Sequence, residues 1–250
     1  MGVFEDFSRA VTDLGFIWNP LLQHFIHPKN TIVVFIPTES EYTNNTETAF
    51  QIVVHEDIWL SKRNAVINRL IALTGNTKRI HGRQCTVKRI DSIASQDFLD
   101  QFHTAGFVNS YFKYGLFFMD ELVAVGLFSK CRTFKSENHQ SYKSAELTRY
   151  ACKTSIRIAG GLDKLLNAFC EEIGVSHLMT YADKEWTDGK SYFTLGFKKV
   201  ADTPPLLFWV NKETGQRIPA NIDDNELNNA WVSRSNLGNI KLIRIKNPRN

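Results

Sequence analysis

Short apolar runs and longer amphipathic stretches alternate along the chain, and their spacing sorts it into strands and helices. Residues 4–14 carry apolar side chains at helical intervals, and Asn19-Pro20 breaks the pattern. The run Thr31-Ile-Val-Val-Phe-Ile-Pro37 is β-branched, short and closed by proline, which predicts a buried strand. Residues 39–48 are polar and rich in Asn and Thr, a loop, and residues 50–54 form a second strand. Residues 61–73 return to helical spacing, with Gly75-Asn76 as the stop.

The second part follows the same logic. Residues 85–90 alternate as a strand, and Ser95 caps a helix over residues 96–102. Residues 114–118 and 122–127, separated by Met119-Asp120-Glu121, predict a β-hairpin. A strand near residues 144–150 ends in residues 156–159, and Gly160-Gly161 opens a helix over residues 162–173. Residues 177–181 are a strand, 190–195 a short helix, and 198–200 and 206–210 the last strands of the core. The order predicts an α/β (α+β) fold: a mixed sheet flanked by helices, without regular βα alternation. Two modules are expected, a small α/β one over residues 1–77 and a larger one over 78–250, joined near residues 77–82.

Composition narrows the class. Of 250 residues, 43% are hydrophobic and 22% charged, ordinary for a folded soluble chain and incompatible with wholesale disorder. Apolar runs fall far short of a membrane-spanning helix. The acidic opening Met1-Gly2-Val3-Phe4-Glu5-Asp6 is no signal peptide. Cys85, Cys131, Cys152 and Cys170 stand too far apart for a zinc ribbon or a disulfide framework. These features predict an intracellular protein without membrane contact, in which the sequon Asn44-Asn45-Thr46 is chance. The net charge of +4 is uneven, −1 over residues 1–80 and +5 over the rest. Lys78, Arg79, Arg83, Lys88 and Arg89 form one basic segment; Arg234, Lys241, Arg244, Lys246 and Arg249 form another. Such segments neutralise phosphates, or serve as plain solvated surface.

Three places can carry chemistry. In Arg157-Ile158-Ala159-Gly160-Gly161-Leu162-Asp163-Lys164 a strand end, a glycine turn and a helix start offer free N–H groups to an anion. It is neither a P-loop nor a dinucleotide fingerprint, and such turns also occur as simple packing. Asp183 ends the strand through Tyr181-Ala182, and Tyr192 follows on the next helix, within reach of the same cleft for proton transfer. The bland roles are a helix cap for Asp183 and a packed ring for Tyr192. His103 closes a helix before Gly106 and has no metal partner nearby, and His24-x-x-His27 has ligand spacing but no third ligand.

Taken in order, His103-x-x-Gly106-Phe-Val-Asn-Ser110, Glu146-Leu-Thr-Arg149, Gly160-Gly161-x-x-Lys164-Leu165, Tyr181-Ala-Asp183 and Tyr192-x-x-Leu-Gly-Phe197 resemble the C-terminal domain of phage Hef-like homing endonucleases and the Mom-type DNA-modification proteins. Both look like variants of the GNAT N-acetyltransferase fold. The resemblance covers residues 78–246, with residues 231–245 similar to a closing hairpin of that family. It implies acetyl-CoA or a related acyl-CoA as cofactor, its pyrophosphate on Arg157, Ile158, Ala159, Gly160, Gly161, Leu162 and Lys164. Leu162 stands where the family has Gly or Ala. It implies His103, Asp183 and Tyr192 as the catalytic set, with Tyr192 protonating the leaving thiolate, and leaves metal involvement open. The implied partner is DNA, held by Lys78, Arg79, Arg83, Lys88, Arg149, Arg234 and Lys241, with Trp186 or Phe107 stacking on a flipped base. The implied setting is a phage protein in the host cytoplasm that shields DNA from restriction.

The stretch Ile52-Val-Val-His-Glu56-Asp57-Ile-Trp59 resembles the end of the nuclease-like domain of those endonucleases. The Glu-x-Lys that holds Mg²⁺ there is missing from residues 1–49, so this module is expected to bind or scaffold without cleaving DNA. The readings left open are a DNA-modifying transferase, a non-catalytic DNA-binding relative, and an acetyltransferase acting on a protein or small amine.

Overall fold

The computed structural model describes residues 2–40, 49–75, 77–135, 140–154, 156–220 and 227–246. The sequon, most of the polar loop expected over residues 39–48, and Arg249 lie outside them. In chain order, α1 (Val3–Asp13), β1 (Ile17–Asn19), β2 (His24–His27), β3 (Thr31–Ile36), β4 (Gln51–His55) and α2 (Glu56–Thr74) come first. Then follow β5 (Lys78–His81), β6 (Thr86–Arg89), α3 (Ser92–Phe102), β7 (Phe112–Phe118), β8 (Glu121–Phe128), β9 (Arg132–Lys135) and β10 (Ser141–Cys152). Next are β11 (Ile156–Ala159), α4 (Gly161–Ile173), β12 (His177–Asp183), α5 (Lys190–Phe193) and β13 (Lys198–Asp202). The last are β14 (Leu207–Asn211), β15 (Arg217–Pro219), β16 (Trp231–Ser235) and β17 (Asn239–Ile245).

The chain packs as two compact units. The first comprises Met1–Thr74, Asp183–Asp188 and Asp202–Asn239; the second comprises Gly75–Ala182, Gly189–Ala201 and Ile240–Asn250. The first parting falls near the expected join, but two later segments that read as part of the larger module belong to the first unit.

In the first unit β1-β2-β3-β4 form one sheet, antiparallel except for β3–β4, and β15-β14-β16 form another. Helices α1 and α2 bury Phe7, Val11, Trp59, Val66 and Leu70 together with Phe25, Val33, Ile52 and Val54 of the strands. Trp186 joins this core with only 9% of its surface exposed, so it is a packed side chain and no platform for a flipped base. The Glu56-Asp57-Ile-Trp59 motif is structural as well. Glu56 accepts the Thr38 N–H at 2.6 Å, Asp57 takes both arms of Arg217 at 2.7 and 3.0 Å, and Trp59 Nε1 donates to Asp6 at 3.0 Å. His24 and His27 sit on a strand, where an odd spacing turns them to opposite faces and removes the helical ligand geometry.

The second unit is built on the sheet β13-β17-β12-β10-β8-β7-β6, with β9 added along β10. It is mixed, with the β6–β7, β7–β8, β8–β10 and β9–β10 pairings antiparallel and the β10–β12 pairing parallel. The β7–β8 hairpin turns through Met119 and Asp120, both at positive φ (+49° and +61°), as a primed turn requires. Helices cover the two faces. Leu165, Leu166 and Phe169 of α4 pack on one, where Phe128 stacks on Phe169 at 3.8 Å. Phe98 and Leu99 of α3 pack with Val125, Leu127 and Ala151.

Four local expectations are corrected. Asp91 caps α3 by accepting the Ala94 N–H at 2.8 Å, while Ser95 is buried inside the helix and bonds Ser92 O. The expected join near residues 77–82 holds β5, which pairs in parallel with β11 apart from the large sheet, so β11 is no continuation of β10. Residues 206–210 fall in the β15-β14-β16 sheet of the first unit. Residues 231–245 are no hairpin either: β16 pairs with β14, and β17 lies between β13 and β12. Their connection is pinned by Asn236, whose Oδ1 accepts the N–H of Leu206 and of Gly238.

Candidate active site

The second unit holds a fork between two parallel strands. β10 and β12 pair only where residues 144–147 face residues 177–180, although both strands continue. A bulge at Thr148 shifts the register of β10, which then stays with β8 from Arg149 to Cys152. At the branch point the Leu147 carbonyl accepts the buried Thr180 hydroxyl at 2.9 Å. Beyond it, one edge of β10 runs on without β12. Such an edge offers main-chain donors and acceptors to an extended ligand.

The glycine turn lies in the same unit. Gly160 has a left-handed backbone (φ +72°) and caps α4, and a side chain there would meet nothing within 4 Å. Gly82, at the end of β5, faces it so closely that a Cβ would lie 2.8 Å from Gly160 O. The first free N–H of α4 are those of residues 161–163, since Lys164 N already bonds Gly160 O at 3.0 Å. Parallel pairing sets Arg79 of β5 directly opposite Arg157 of β11, both exposed. Like charges in register are mutually unfavourable until an anion joins them. Lys164 is held back: its ammonium donates to Cys85 O at 2.5 Å. Ile158 is buried and Leu162 half-buried against the core, so of the predicted cradle only backbone and Arg157 are presented outward.

Tyr192 stands on α5, begun by the left-handed Gly189, with its ring edge-on to Phe197 at 5.6 Å. Two groups that the sequence did not reveal accompany it. Tyr150 Oη accepts the Cys152 thiol at 3.0 Å, and burial first, then Cys152 and Tyr192, push the Tyr150 phenol well above its usual range. Both residues lie on β10 past the bulge. Their alternation looks unremarkable in sequence because the extra residue at position 148 is invisible there.

The predicted catalytic trio divides between the units. His103 ends α3 in the second unit, where its Nδ1 accepts the Ala105 N–H at 3.0 Å. Its loop is tied to the bulge: Arg149 Nε donates to Gly106 O at 3.1 Å, and the hydroxyls of Ser110 and Thr148 lie 2.8 Å apart. Arg149 is thereby a half-buried clamp, its guanidinium pKa lowered by burial and supported by Glu146, and not an outward phosphate contact. Asp183 belongs to the first unit. Burial, then the neighbouring Glu185 charge, raise its carboxyl to about 6, against the Glu185 N–H, His55 and Arg217, which favour its charge. Glu185 itself pairs with His55 at 2.9 Å, both buried.

The basic segments separate in the same way. Lys78, Arg79 and Arg83 are exposed. Lys88 lies 3.7 Å from Asp120, Arg89 pairs with Glu172, Arg244 with Asp163 and Lys246 with Glu171. Arg234 Nη1 donates to Ser233 O, and Lys241 is half-buried. Among the described residues no three His, Cys, Asp or Glu converge as metal ligands, and no helix is long and apolar enough to cross a membrane.

No protein-family model matches the chain, and no curated protein matches it in sequence. Solved structures do resemble it. A GNAT family acetyltransferase from Elizabethkingia anophelis, solved with acetyl-CoA bound, aligns at 12% identity and a TM-score of 0.37, covering 65% of this chain and 98% of the other. The ribosomal-protein-S18-alanine N-acetyltransferase of Escherichia coli aligns at 12% identity and a TM-score of 0.40, covering 66% and 96%. A histone acetyltransferase HPA2 and related acetyltransferase from Corynebacterium glutamicum aligns at 15% identity and a TM-score of 0.33, covering 56% and 66%. All three scores are low, and function rests on the chain's own forked strands, glycine turn and paired arginines.

Proposed function

We propose that the chain is a GNAT-type acyl-CoA-dependent transferase whose acceptor is an amine of a nucleic-acid base. One observation carries the reading: within one compact unit, a parallel strand pair forks open, and the same unit carries a left-handed glycine at a helix start with two arginines in register. The glycine turn fits a pyrophosphate. Open space over Gly160 admits it, the N–H groups of Gly161, Leu162 and Asp163 point to it, and Arg79 with Arg157 relieve their mutual repulsion by sharing it. The free edge of β10 suits an amide-bearing arm, which pairs with main chain as a strand would.

When bound, an acyl-CoA supplies an activated thioester. The chain's own residues then have three tasks. β10 orients the arm through residues 149–152. Tyr192 Oη donates a proton to the departing sulfur, in the hydrophobic surroundings that Phe197 and the core provide. The acceptor's proton falls to His103 by the family resemblance, the candidate base that shares the second unit with Tyr192. The exposed Lys78 and Arg83 support a phosphate-bearing acceptor.

Thermal melting of the full chain with acetyl-CoA tests the cofactor, beside Arg79→Ala/Arg157→Ala. The wild type is expected to gain stability and the double variant to gain little. Nucleoside mass spectrometry of DNA from expressing cells tests the acceptor. A new nucleoside, lost in Tyr192→Phe, supports base modification. A thermal shift without any modified nucleoside moves the acceptor to a protein or small amine, and no shift with acetyl-CoA refutes the acyltransferase reading.

A further inference from the structure

The edge of the second unit's sheet carries a feature with no part in acyl transfer. β9 pairs with β10 from Arg132↔Ser144 to Lys135↔Ser141, and all four of its residues are exposed. The register partners Phe134 and Tyr142 stack, with ring centres 5.6 Å apart and planes inclined by 23°. Tyr142 in turn lies 4.0 Å from the His177 ring, so three rings run in a row. Phe134 heads the row with 44% of its surface in solvent. Burial lowers the pKa of His177, which favours the uncharged ring in this row.

Cations surround the strip. Residues 129–144 hold Lys130, Arg132, Lys135 and Lys143 against a single acid, Glu137. Lys143 reaches the Ile173 carbonyl at 3.4 Å. Lys130, Arg132 and Lys135 are exposed, and none forms a side-chain hydrogen bond or ion pair with another described residue. Charged residues on an edge strand also deter strand-to-strand aggregation, but an exposed row of stacked rings works against that purpose. Rings flanked by exposed cations match instead the requirements of an unstacked base on a phosphate chain. A duplex keeps its bases stacked on one another and leaves Phe134 nothing to receive.

We propose that the β9–β10 edge binds single-stranded nucleic acid, a base lying on Phe134 and the backbone on Lys130, Arg132 and Lys135. The proposal extends the nucleic-acid part of the reading above and is independent of the acyl donor. Its test is fluorescence anisotropy of the full chain, without acyl-CoA, against a short oligo(dT), an oligo(rU) of equal length and a duplex. The single strands should bind more tightly than the duplex. Phe134→Ala should weaken them roughly tenfold, the loss of one stacked base, while Phe134→Trp retains binding. Substituting Lys130→Gln, Arg132→Gln and Lys135→Gln together should flatten the salt dependence by about 2 in slope, the share of three phosphates. Melting curves establish that these surface variants remain folded. Equal affinity of wild type and both variants, or tighter duplex binding insensitive to Phe134→Ala, overturns the proposal. Self-association of the triple variant with unchanged binding overturns it too and assigns the cations to edge protection. Modified nucleosides are read separately, so either reading can fail while the other stands.

Discussion

Tyr192 and Asp183 show how environment, more than residue type, sets a role. In the proposed mechanism the Tyr192 hydroxyl is the proton donor, and removing it leaves the ring and its packing against Phe197 in place. Tyr192→Phe is therefore expected to lower the transfer rate about 10²- to 10⁴-fold with the acetyl-CoA thermal shift unchanged. For Asp183 the folded carboxyl titrates near 6 and the unfolded one near 3.8. Between those values the folded chain holds a proton that the unfolded chain has released, so stability falls as pH rises through about 4 to 6. Asp183→Asn, which keeps the oxygen that accepts the Glu185 N–H, should lose that slope and be more stable at pH 7 by about 3 kcal/mol at most. Urea unfolding of both chains from pH 4 to 7 measures it. Both residues were visible in sequence as acid and phenol after a strand. The acid's burial beside Glu185 was not, because it depends on His55, 130 residues away from Glu185.

Among elements, the fork and α4 frame the proposed site. Thr180→Val removes the hydroxyl that closes the branch point and leaves the Leu147 carbonyl buried without it, a loss of about 1–3 kcal/mol in chemical unfolding. Gly160→Ala introduces a side chain where space is open but φ is +72°, so about 1–2 kcal/mol of backbone strain is expected together with a weaker acetyl-CoA shift. If the turn were packing alone, the strain would appear and the shift would stay. Elements whose signal is local were legible: the proline-closed β3, the β7–β8 hairpin with its two-residue turn, and α4 after Gly160. Elements defined by distant partners were not. β5 looks like a linker in sequence because its strand partner, β11, comes some 80 residues later, and β16 and β17 look like a hairpin because a short connection normally makes one. The same blindness hides Arg79 opposite Arg157, although each arginine stands out alone in the sequence.

Over the whole molecule, the first unit is assembled from three stretches of chain, and Asp57 with Arg217 binds two of them. Arg217→Met strands a carboxylate that is 4% exposed, at a cost of about 3–5 kcal/mol. Limited proteolysis should then cut within residues 1–74 or 202–239 of that variant while fragments of the second unit persist. Protection equal to wild type would show that the pair contributes little. That three-part assembly also bears on synthesis. The segment over residues 1–74 leaves the ribosome before the rest of the first unit, yet Trp186, which fills its core, and Arg217, the partner of Asp57, are encoded much later. At about 5–20 residues per second, roughly 10–30 s separate Thr74 from Asn239. Throughout that interval the aromatic-rich segment over residues 1–74 waits incomplete while most of the second unit's chain is made, so the unit begun before the other is finished after most of it, and chaperone demand should concentrate there.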